Sequence, residues 1–143
     1  MPSSSFLIRL YRFLDNNKVW LIYVPLTVYW IILFILTSIP GNQITTFGVS
    51  DKIKHAGAYF VLTIFLFLTL HFQNKYPKLK TNAGIAALII SLIYGVIDEV
   101  HQLFIPGRSG DMYDWLADLL GTIIAVAVVQ YVVKISKNAA DTV

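Results

Sequence analysis

Four long apolar runs divide the chain, at about Val19–Ile39, His55–Phe72, Ala83–Ile105 and Met112–Val133. A helix needs about 20 mostly apolar residues to cross a hydrocarbon core about 30 Å thick. Each run meets that length. The first carries no charge, and the fourth carries none after Asp118. The pattern predicts an all-α, polytopic membrane protein, a bundle of four transmembrane helices. The first run is longer than the apolar core of a signal peptide and leads into Pro40-Gly41. It is therefore read as a retained helix that the proline and glycine end.

The flanks differ from the runs. Residues 1–18 form a cytoplasmic or interfacial segment, residues 19–134 the four-helix domain, and residues 135–143 a cytoplasmic tail. Within the first segment, Phe6 to Leu14 mixes large apolar residues with Arg9 and Arg12. That mixture suits a short helix lying in the membrane interface, or a frayed basic tail. Trp20, Tyr23, Tyr76, Trp115 and Tyr131 sit near run ends, where aromatic belts form. His71 reads as an interfacial residue. Gly57, Gly84, Gly95 and Gly121 read as sites of close helix packing.

Composition agrees with the pattern: 57% of the 143 residues are hydrophobic and 13% charged. Soluble domains carry about 25% charged residues. There is no cysteine, which excludes disulfides and thiolate metal sites. Basic residues cluster beside the apolar runs. This is the signature of membrane-surface contact rather than of a nucleic-acid patch.

Lys and Arg also set the orientation. Arg9, Arg12, Lys18, Lys75, Lys78, Lys80, Lys134 and Lys137 flank one end of the four runs, against Lys52, Lys54 and Arg108 at the other. The positive-inside rule then puts both termini in the cytoplasm, in a multi-pass protein of the cell membrane. The segments joining the first run to the second and the third to the fourth face outward.

Six of the eight acidic residues lie between Asp51 and Asp118, and they gather at that outer end. Asp51, His55 and Tyr59 are four apart and share a helix face. Tyr94, Asp98, His101 and Gln102 form a second stripe, with Glu99 beside it. Pro106 to Asp111 is a tight turn carrying Arg108, and Asp114 and Asp118 follow at helical spacing. Asp98 and Asp118 lie roughly 9–10 Å inside the ends of their runs at about 1.5 Å per residue. A carboxylate facing lipid at that depth costs a few kcal/mol even on lenient scales. These groups are therefore expected to face a common outward pocket. Arg108 is the expected counter-charge, since its planar fork holds carboxylate or phosphate in bidentate fashion. Lys52 and the histidines stand in support.

Three patterns carry a family resemblance: D-K-x-x-H-x-x-x-Y from Asp51 to Tyr59, Y-x-x-x-D-E-x-H-Q from Tyr94 to Gln102, and P-x-R-S-G-D-x-x-D-x-x-x-D-x-x-G from Pro106 to Gly121. They stand in order at matching ends of consecutive helices, and together they resemble the VanZ-like membrane proteins. The resemblance implies a bacterial cell-membrane protein and an association with resistance to glycopeptide antibiotics, teicoplanin above all. It carries no catalytic assignment. Where the family often has Asn on the fourth helix, this chain has Asp118.

Several functions remain open at this stage. In one, Asp51, Lys52, His55, Tyr59, Tyr94, Gln102, Arg108, Asp111, Asp114 and Asp118 build a site for a polar or anionic head group. The ligand would be a lipid head group, a lipid-linked cell-wall precursor or a lipoglycopeptide. In another, the chain is an intramembrane hydrolase or transferase, with Asp98 or Glu99 as base or nucleophile, His101 or His55 as acid–base partner and Arg108 as clamp. No nucleophile elbow, P-loop or HExxH pattern supports it. No cofactor is required. A divalent metal is a variant, with His55, Asp98 and His101 plus one of Asp111, Asp114 or Asp118 as ligands. In the structural alternative, Arg108, Asp98, Asp111 and Asp114 are an ion-pair network that locks three helices, and Tyr59 and Tyr94 are ordinary bundle residues bonded to a neighbour. The oligomeric state is not set by the sequence.

Overall fold

The structure, a computed structural model, describes residues 2–43 and 48–141; the side chains of 2–5, 7 and 137–141 lie outside the description. The described residues contain helices and no strand, and four helices are long and apolar enough to cross a membrane.

Helix α1 (Pro2–Asn16) precedes the first span. Its Phe6, Leu10 and Phe13 recur at helical spacing and stay exposed, the stripe that a membrane interface accepts. The helix runs through the Phe6–Leu14 segment and past it on both sides. It is fastened to the far end of the second span: the Tyr11 hydroxyl meets His71 Nε2 at 3.0 Å, and Lys18 Nζ donates to the Phe72 carbonyl at 3.0 Å. His71, in the last turn of α3, is buried among Tyr11, Phe67 and Phe72. Burial first, and the Asp15 charge second, push the Tyr11 hydroxyl pKa up.

The first span opens with a π-helical turn (Val19–Tyr23) and continues as α2 (Val24–Thr37). Pro25 explains the wide turn. A proline cannot donate its backbone N–H, and its ring collides with the carbonyl four residues back, that of Leu21. A π-turn relieves that collision, and the Val24 N–H reaches back to the Val19 carbonyl. Ser38 then caps the helix, its N–H bonding the carbonyls of Phe34 and Ile35, before Pro40.

Helix α3 (Asp51–Phe72) begins four residues before the apolar run does. Ser50 is extended (ψ 140°), and Asp51 occupies the first turn, where a negative charge suits the helix dipole. Charge does not stop a helix at a membrane boundary, so the polar residues 51–54 are helical too. A short helix α4 (Pro77–Thr81) starts on its proline and leads to α5 (Ala83–Gln102). Helix α5 stops short of Ile105. The apolar residues Leu103 to Ile105 belong to a turn that ends on Gly107, whose φ of +73° suits only glycine without strain. This shortening puts Asp98 about 6 Å from the helix end rather than the predicted depth. The last helix, α6 (Met112–Asp141), outruns the membrane span and carries the predicted tail as helix to Asp141.

Helices α3 and α6 pack most closely, because Gly121 has no side chain: a Cβ there would collide with the Ala56 carbonyl. Helix α5 lies against both. Thr63, Ser91 and Thr122 meet at the centre, with hydroxyl oxygens at 2.8 and 3.2 Å, so one buried hydroxyl cluster ties the three spans. Leu26, Leu33, Leu62, Leu66, Phe67, Ala87 and Val129 fill the remaining core, which brings α2 into the bundle.

Candidate functional site

The chain path puts four helix ends together: the C-termini of α2 and α5 and the N-termini of α3 and α6. The two connecting segments touch there. Gly41 donates its N–H to the Pro106 carbonyl at 3.0 Å, and a Cβ on Gly41 would run into the Gly107 backbone.

Three buried or half-buried carboxylates, one on α5 and two on α6, converge on His55. Its Nδ1 lies 3.0 Å from Asp118 Oδ1 and 4.0 Å from Glu99 Oε1, and its Nε2 lies 3.9 Å from Asp114 Oδ2. Asp118 is fully buried, and Asp114 is nearly so. Lys52 Nζ bridges Asp111 Oδ2 and Asp114 Oδ1, both at 2.8 Å. Asp111 lies just outside the spans. Lys52, and then the Tyr113 N–H, hold its carboxyl below the usual carboxylate range. Glu99 Oε2 accepts the Asp111 N–H at 2.7 Å, which fixes the loop onto α5.

Asp51, His55 and Tyr59 do share a face. With Asp98, Gln102 and Arg108 they line a cavity of about 390 Å³. Asp51 also takes a 3.3 Å contact from Lys54, which lines the same cavity. The opposite wall is apolar and comes mainly from α2 and its exit: Leu33, Leu36 and Ile39. Asp98 sits beside Thr37 and Gln102. Tyr94 stands behind this wall, edge-on to Trp30 at 5.3 Å and 6.1 Å from the Tyr59 ring. The Tyr59 hydroxyl is buried and finds no hydrogen-bond partner among the described residues. Glu99, with Asp111 and Trp115, borders a second, shallower hollow between α5 and α6.

Two expected roles change. Arg108 makes no ion pair among the described residues. It donates from Nε to the Ile39 carbonyl at 3.2 Å and from Nη2 to the Leu36 carbonyl at 3.1 Å. These carbonyls lie at and just past the end of α2, and a cation there complements the helix dipole. Lys52 is the cation that serves the carboxylates. His101 faces α2: its Nε2 meets Ser38 Oγ at 3.0 Å, and its ring stacks on Phe34 at 5.1 Å. His55, which meets Glu99, and His101 therefore have separate surroundings, because residues 99 and 101 of one helix point about 160° apart at 3.6 residues per turn.

The first span was missed as a wall of the site. Thr37 and Ser38, hydroxyl residues at the same end as the acidic segments, were the available signal. Thr37 is buried beside Asp98.

No curated protein and no solved structure matches the chain. A family model described as VanZ/LLP1 matches residues 19–134, from the π-turn of the first span to the end of the fourth, with the whole cavity inside it. The chain therefore belongs to the VanZ/LLP1 family.

Proposed function

We propose that the chain binds the polar head of an amphiphile in the 390 Å³ cavity at the outer face of the cell membrane, and so contributes to glycopeptide (teicoplanin) resistance. The observation that carries this reading is the two-sided lining. Leu33, Leu36 and Ile39 offer an apolar wall, while Asp51, Asp98, Gln102, Lys54 and Arg108 offer polar groups of both signs. Such a lining suits a lipid head group, a lipid-linked cell-wall precursor or a lipoglycopeptide. An ammonium or sugar hydroxyl pairs with Asp98. A phosphate or carboxylate meets Lys54 and the N–H donors of Arg108 that α2 does not use, since a guanidinium has five. The excess of Lys and Arg at the opposite end of the spans supports an outward cavity. Group transfer by Asp98, Glu99 and His101 has less support. His101 is engaged by Ser38, and Glu99 by the Asp111 amide.

The test pairs two measurements on cells expressing the protein: teicoplanin susceptibility, and lipid retained by the purified chain in native mass spectrometry. Wild type is expected to lower susceptibility and retain an amphiphile. Leu36→Trp fills the cavity and Asp98→Asn removes its buried charge, and both should lose both properties at unchanged membrane levels. Unaltered lipid retention in Leu36→Trp would overturn the binding reading. A wild-type chain without effect on susceptibility would remove the resistance role.

A further inference from the structure

The buried end of the site has more negative charge than the protein neutralises. Asp111 and Asp114 share the Lys52 ammonium. Glu99 and Asp118 have one imidazole between them. Asp118, with no exposed surface, uses Oδ1 toward His55, and its Oδ2 finds no hydrogen bond among the described residues. Glu99 Oε1 is buried in the same condition. The Tyr59 hydroxyl, a third buried and unpartnered polar atom, lies among the charges of Asp98, Asp118 and Glu99. An ionised carboxylate kept from water without a full set of partners is strongly disfavoured, so something positive belongs there.

The geometry indicates what. One nitrogen from α3 and one carboxylate oxygen each from α5 and α6 lie within 4.8 Å of one another. Metal–ligand bonds of about 2.0–2.1 Å in a tetrahedron put the ligand atoms about 3.3 Å apart. The observed separations of 3.0 and 4.0 Å from His55 Nδ1 bracket that value. A metal-bound histidine almost always gives its other ring N–H to a carboxylate, a backbone carbonyl or water. Asp114 Oδ2 stands on that side at 3.9 Å from Nε2, itself held by Lys52. We propose that His55, Glu99 and Asp118 hold one divalent cation of mixed N/O preference, Zn²⁺ or Mn²⁺, with an open coordination position. Three ligands from three spans make the ion a clamp on α3, α5 and α6. The proposal is independent of the head-group reading.

The experiment uses the full chain, free of any histidine tag, in detergent. It is stripped with chelator and dialysed against micromolar Zn²⁺ or Mn²⁺. Elemental analysis is expected to find one ion per chain and a raised melting temperature. Asp118→Asn and Glu99→Gln should retain no stoichiometric ion and show no ion-dependent shift. Asp114→Asn should bind about 10–100-fold more weakly, as loss of a histidine's carboxylate partner does. Should Asp118→Asn not fold, the Co²⁺-loaded wild type and Glu99→Gln still decide: the wild type should show a visible ligand-field absorption that Glu99→Gln lacks. A wild-type chain that retains neither ion overturns the proposal. So does retention that survives Glu99→Gln, or an ion-free chain whose stability rises on Asp118→Asn, which would mean that shared protons balance the charge.

Discussion

Arg108 was expected among the carboxylates and is found on carbonyls. The difference is one of reach. Gly107 turns the chain at φ +73°, and the loop contact between Gly41 and Pro106 holds Arg108 beside the end of α2. Lys52, one helical turn before Ala56 on α3, reaches Asp111 and Asp114 instead. Removal of the guanidinium takes one side-chain donor from each of the Leu36 and Ile39 carbonyls. Arg108→Ala should therefore lower stability by about 1 kcal/mol, and by no more than about 2, the ceiling for a partly buried cation at a helix C-terminus. Arg108→Lys should recover only part of that, because one ammonium cannot reproduce the fork. Thermal melting in detergent measures both. If Arg108 neutralised the acids instead, Arg108→Ala would change the acid limb of stability. That limb belongs to Lys52 and Asp111. The Asp111 carboxyl titrates lower folded than unfolded, so it stabilises the fold above the ordinary carboxylate range. The contribution is lost as pH falls through the depressed value. Lys52→Met should flatten the acid limb, and salt should weaken it, since the pair is partly exposed.

The spans were legible because a bilayer demands long apolar runs, but their ends were not, because apolarity and helicity are different properties. Leu103 to Ile105 are apolar and lie in a turn, while Asp51 to Lys54 are charged and helical. Faces were legible in the same way: spacing of four put Asp51, His55 and Tyr59 together. Which face of one helix meets which face of the next depends on packing, and packing hinges on details such as Gly121. This glycine lies three residues beyond Asp118 and presses on Ala56, the neighbour of His55. Gly121→Ala should push α6 from α3 and cost about 1–3 kcal/mol, as overpacking does. Gly84→Ala should cost less. The atoms nearest a Cβ there belong to the side chain of Gln130, which can move, whereas a backbone carbonyl cannot. A chemical-denaturant or thermal comparison of the two variants distinguishes packing from propensity. Equal losses would mean that the backbone approach at Gly121 is not a constraint. Ser91→Ala, in the central hydroxyl cluster, should cost about 0.6 kcal/mol and no more than about 1.7, the average and the maximum for hydrogen bonds between membrane helices.

The whole bundle is asymmetric from end to end. One end carries α1 latched onto α3 through Tyr11 and Lys18, together with the basic loop Lys75 to Lys80. The other carries the cavity, the carboxylates and the contact between the two connecting loops. By the positive-inside rule, the proposed orientation puts the positive first end in the cytoplasm. The native sequence has no cysteine, so single introduced cysteines report sidedness without background. Ser109→Cys, exposed beside Arg108, should react with a membrane-impermeant maleimide on intact cells. Lys78→Cys, exposed in the basic loop, should react only after the membrane is opened. The reverse result would turn the cavity toward the cytoplasm. The divalent-ion clamp would survive that inversion, because it depends only on His55, Glu99 and Asp118 meeting. Recognition of an amphiphile at the outer leaflet would not, because no antibiotic or wall precursor outside the cell would then reach Asp98.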